Sequence, residues 1–107
     1  MTNYDAIASS LYPYDVDDLT IEKYCIDMGV DKDEKYDISI KELVARIAID
    51  ILREILYNLS SESNAGYSLS YDANKLKERI FNIAKHNGFK DIVEEFNPRP
   101  KVYINCD

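Results

Sequence analysis

The chain has no tryptophan, one histidine, two cysteines, three glycines and three prolines in 107 residues. Each shortage excludes something. Three scattered glycines cannot build a phosphate-cradling loop, which needs several of them close together. The lone histidine, His86, makes no catalytic or metal-binding cluster by itself, and neither cysteine has a histidine near it in sequence. A Cys–His nucleophile would therefore depend on a spatial meeting that the residue order does not supply. Cys25 and Cys106 lie far apart without metal-ligand spacing and read as reduced thiols. With twenty carboxylates in the chain, no pair of acids stands out as an acid–base couple. No catalytic residue, metal site or cofactor is expected.

Long hydrophobic runs are missing too. No apolar stretch approaches the ~18 residues of a spanning helix. The opening "MTNYDAIASS" has neither the basic start nor the apolar stretch of a signal peptide. The protein is expected to stay in the cytosol where it is made, with no membrane partner.

Positive charge is scarce in one part of the chain only. Residues 1–42 hold eleven Asp and Glu against four Lys, and residues 43–107 hold nine of each sign. The whole net charge of -7 therefore sits in the first two-fifths. A nucleic-acid binder would need a basic stripe for the phosphates, so sequence-specific binding of that kind is not expected. Asp15, Asp17, Asp18, Asp31, Asp33 and Glu34 make the expected acidic surface, which either is simply solvated or seats a basic partner and repels DNA.

What remains is patterned for helices. Residues 4–11 form a short first helix with Asn3 as its cap and Ile7 and Leu11 inward; Pro13 ends it. Asp17 or Asp18 caps a second helix reaching Met28, with Leu19, Ile21, Cys25 and Met28 on its apolar side and Tyr24 at the margin. Gly29 stops it in the left-handed conformation. Ser39 and Glu42 read as a capping box for a third helix. Val44, Ile47, Ala48, Ile51, Leu52, Ile55, Leu56 and Leu59 then recur at three and four over about five turns. Lys41, Arg46, Asp50, Arg53 and Glu54 lie opposite, while Leu43 and Ile49 widen the apolar surface. Asp72 caps a fourth helix with Leu76, Ile80, Ile83 and Ala84 buried and Phe81 beside them; it closes at Gly88, with Phe89 placed for the contact that often follows. "KDIVEEF" adds a turn or two. The two prolines of "NPRPKVYINCD" enforce an extended tail over residues 98–107. The outline is a single all-α domain over residues 1–97, a small bundle of four to five helices with a short extended arm within residues 60–71.

One run resembles a calcium loop. In "DKDEKYDISIKE", Asp31, Asp33, Ser39 and Glu42 fall on ligand positions one, three, nine and twelve. Lys35 then brings a positive charge to the fifth, and Tyr36 replaces the glycine the sharp turn needs at the sixth. The run reads as an acidic loop followed by a helix start.

The segment "GYSLSY" alternates large and small like a strand, with no obvious mate. Unpaired backbone groups are safe in water and costly when buried. Tyr67, Leu69 and Tyr71 therefore either pair with the tail at Val102, Tyr103 and Ile104, or add to a neighbouring copy by β-augmentation. Both make them docking residues. Nine tyrosines, against three phenylalanines, fit positions with a packed ring and a wet hydroxyl, at the rim of a core or at an interface.

"YPYDVDDLTIEKYCIDMGVD", the long apolar helix after it and "GYSLSYD" leading into another helix resemble the head–tail connector, or head-completion, proteins of tailed phages, across most of the chain. That resemblance implies a helical subunit with a projecting loop and an extended terminus. Copies join in a ring between portal and tail proteins, first in the bacterial cytoplasm and then in the virion. DNA passes through such a ring, and an acidic wall keeps it from sticking. The ending "PKVYINCD" has no counterpart in that pattern. A small adaptor or regulator of one protein partner, such as an antitoxin or anti-repressor, is the other expectation.

Overall fold

A computed structural model describes residues 1–61 and 73–97. Five α-helices lie among them: α1 (Asn3–Leu11), α2 (Asp18–Met28), α3 (Lys41–Ser61), α4 (Ala73–Asn87) and α5 (Lys90–Glu95), with a 3-10 turn at Ile38–Ile40 leading into α3. The described residues contain no strand, only an isolated antiparallel bridge between Thr2 and Lys35. The all-α expectation is borne out.

The long apolar pattern makes α3 the hub, as its periodicity requires. Ile47, Ala48, Ile49 and Leu52 are fully buried, and α1, α2 and α4 all pack on this helix. Ile7 and Leu11 come in from α1, Ile21 and Cys25 from α2, and Leu76, Ile80 and Ala84 from α4. Phe89 and Ile92 close the end, so one continuous core collects side chains from every helix. Gly29 and Gly88 both sit at φ 73°, the left-handed stop expected of them.

Local starts differ from the sequence reading. Thr2, not Asn3, caps α1. Its hydroxyl accepts from the Asp5 amide at 3.1 Å while the Asp5 carboxylate accepts from the Thr2 amide at 3.0 Å, a reciprocal capping box. Asn3 is instead buried, and its side-chain amide donates to the Asp31 carbonyl at 2.8 Å. Backbone bonds from Asn3 to Glu34 and from Tyr4 to Lys32, and from Tyr36 back to Met1, tie the start of the chain to the acidic loop. At the other junction Asp37 accepts from the Ser39 amide at 2.9 Å and caps the 3-10 turn, displacing the expected Ser39–Glu42 box. The expected cap Asp72 lies outside the described residues.

The polar side of α3 is not left to solvent. The Tyr24 hydroxyl donates to Glu54 at 2.7 Å. The Arg46 guanidinium lies 4.3 Å from the centre of the Phe89 ring, and Arg53 pairs with Glu95 and lies 5.5 Å from Phe96. The guanidinium groups thus lie over aromatic surface, and the Arg53 Nε is buried there.

Candidate functional site

Leu19 is the clearest departure from the expected burial. It is 71% exposed, and Ile26, seven residues on, is 70% exposed. At 3.6 residues per turn the two share one side of α2, roughly 100–160° around from Ile21 and Cys25, which anchor the helix to the core. Lys23 lies between them and bonds Asp27 at 3.0 Å. An aliphatic pair therefore stands on a rigid helix, facing away from the core.

Its surroundings are acidic. Residues 15–34 carry eight carboxylates and two lysines, a net of -6. All six acids expected on the surface are exposed: Asp15, Asp17 and Asp18 before and at the start of α2, and Asp31, Asp33 and Glu34 just past its end. Asp18 also accepts a bond from the Tyr4 hydroxyl, which raises the pKa of that phenol. Asp31 and Asp33 form a local turn, the Asp31 carboxylate accepting from the Asp33 amide at 3.0 Å. Among the described residues, no three of the His, Cys, Asp and Glu side chains come together as a metal site.

A second surface has the opposite sign. A groove of about 410 Å³ opens between α1, α3 and α4. Val44, Ala45 and Ile83 make its apolar floor and Lys41, Arg79 and His86 stand along it; none of the described residues lining it is acidic. Arg79 is fixed there because it caps the end of α1. Its guanidinium donates to the carbonyls of Ser10 at 2.9 Å and Tyr12 at 2.9 Å, groups a helix C-terminus leaves unpaired. His86 holds the Asn82 carbonyl through Nδ1 at 3.0 Å. The groove was not foreseen, since it depends on where α4 docks. The exposure of Leu19 did have a signal: its phase on the helical wheel opposes Ile21 and Cys25.

Burial raises the pKa of the Cys25 thiol, which favours its protonated form. Burial, followed by the bond to Glu54, pushes Tyr24 up to about 12. The docking residues expected from the alternating segments, Tyr67, Leu69, Tyr71, Val102, Tyr103 and Ile104, lie outside the described residues.

A family model described as "Family of unknown function (DUF6706)" matches residues 1–105. The chain belongs to DUF6706. For this DUF6706 member the match takes in the five helices and both alternating segments. Nothing among curated proteins or solved structures matches the chain.

Proposed function

We propose that this DUF6706 chain is a non-enzymatic virion assembly protein, a phage or prophage head–tail connector subunit. The observation that carries the reading is the outer side of α2, where two aliphatic side chains stand exposed on a helix surrounded by carboxylates. A docking surface on a helix, in a predominantly acidic stretch, serves assembly better than it serves chemistry. The helical fold and the acidic first two-fifths agree with the resemblance to connectors.

The reading is tested by purifying phage particles from a host that encodes the chain and quantifying it by mass spectrometry. A connector subunit is present in a fixed, small number of copies per portal ring. Deleting residues 66–71 then yields heads without tails. Particles free of the chain, or infectious particles assembled from the deletion variant, overturn the proposal.

A single-partner adaptor is the second reading, favoured by the same exposed pair, because two aliphatic anchors suffice for one helix-sized partner. It calls for a stable one-to-one complex with a repressor or toxin, and neighbouring genes of that type rather than portal and capsid genes.

A further inference from the structure

We infer that copies of this chain associate head to tail, the outer side of α2 in one copy seating in the groove between α1, α3 and α4 of the next. The inference rests on the assembly reading only in choosing a second copy as the occupant; the two surfaces stand on the structure. They complement each other. Leu19 and Ile26 offer an exposed aliphatic pair beside Glu22 and the Lys23–Asp27 ion pair, in a stretch, residues 15–34, of net charge -6. The groove offers an apolar floor flanked by Lys41 and Arg79. It is the counterpart in charge, since the described residues lining it include Lys41 and Arg79 and no acidic one.

Placement decides the type of association. Tyr24 of α2 bonds α3 at Glu54, whereas the groove reaches α3 at Lys41, Val44 and Ala45. At about 100° and 1.5 Å per residue those positions lie roughly 80–180° around α3 and about 14–20 Å along it from Glu54. The two surfaces therefore lie apart on α3, and α2, held by Tyr24 and its buried residues, does not reach its own groove. Pairing α2 with α2 about a two-fold axis would instead bring two acidic sides together. Contact between unlike surfaces is what remains, and it repeats from copy to copy.

Mixing experiments test this directly. Ile26→Asp blocks the helix surface, and Lys41→Glu with Asn82→Glu blocks the groove; all three side chains are exposed or line the groove mouth, so the core is untouched. In sedimentation equilibrium the full-length wild-type chain grows in mass with concentration, past the dimer. Each blocked variant alone associates at least about tenfold more weakly. An equimolar mixture of the two regains one good contact and stops at the dimer. Circular dichroism melts confirm the fold, and Leu19→Ser replaces Ile26→Asp if the latter melts early. A wild-type chain that stays monomeric up to about 1 mM, or that plateaus at a dimer, overturns the inference. So does a mixture no better associated than its components. Virions that contain the chain although the pure protein stays monomeric would remove this contact and leave the connector reading standing. Head-to-tail oligomers of a chain absent from virions would do the reverse.

Discussion

Asn3 stands inside the fold as a polar residue among apolar ones, and it earns that position by one bond to the Asp31 carbonyl. Its own carbonyl oxygen has no partner there. Asn3→Ala removes a buried bond across 28 residues and is expected to lower stability by about 1–2 kcal/mol, read as a shift in the denaturant midpoint. Asp50 is the opposite case. Burial raises its carboxyl above the ordinary 3.8, an effect that Arg53 and Arg46 only partly offset. Between the ordinary value and the raised one, the folded chain holds more protons than the unfolded chain. Stability therefore falls as pH rises through that window, and the penalty persists at neutral pH. Asp50→Asn is expected to melt higher than wild type at pH 7 and to lose that advantage at pH values below the ordinary 3.8. Equal melting temperatures at pH 7 would show that the two arginines cancel the cost of burial.

At the level of elements, α1 is short, and Arg79 of α4 holds its last carbonyls. Arg79→Met keeps the stem and removes the guanidinium, and is expected to cost about 2 kcal/mol, the scale of hydrogen bonds to a charged group. Hydrogen exchange should quicken in residues 8–12 before it does in α3; protection unchanged there would mean that the cap is dispensable. Such ties mark the limit of what the sequence could tell. Periodicity exposed α3 and α4, and the glycines at 29 and 88 marked two stops, because these depend on neighbours three or four residues away. Arg79 reaches back 67 residues to Tyr12, and no local pattern announces a bond of that span. Asn3 was misread as a cap for the same reason: a long-range carbonyl claimed its side chain, and Thr2 took over the local work. Asp37 takes the Ser39 amide because a 3-10 turn precedes α3, a choice that propensity does not resolve. The acidic surface was legible as charge counts alone, while the cationic groove emerged only from the packing of α4 on α3.

For the whole molecule, one core receives side chains from all five described helices, so none of these has a separate core to keep it folded alone. Unfolding is expected to be a single cooperative step. Far-ultraviolet circular dichroism and labelling of the buried Cys25, measured in a Cys106→Ser background, should share one midpoint; labelling that runs ahead of the helix signal would show that α2 opens by itself. On the proposed head-to-tail contact, the separation between the α2 contact and the groove on α3 governs how copies add. A molecule that binds its own kind through two different surfaces never uses them both up: every arrival leaves one of each still vacant at the two ends. Such a series has no chemical stopping point. Only the angle swept at each step fixes how many copies bring the last one round to the first, and a few degrees of change in how α2 lies on α3 would alter that number or open the circle into a helix.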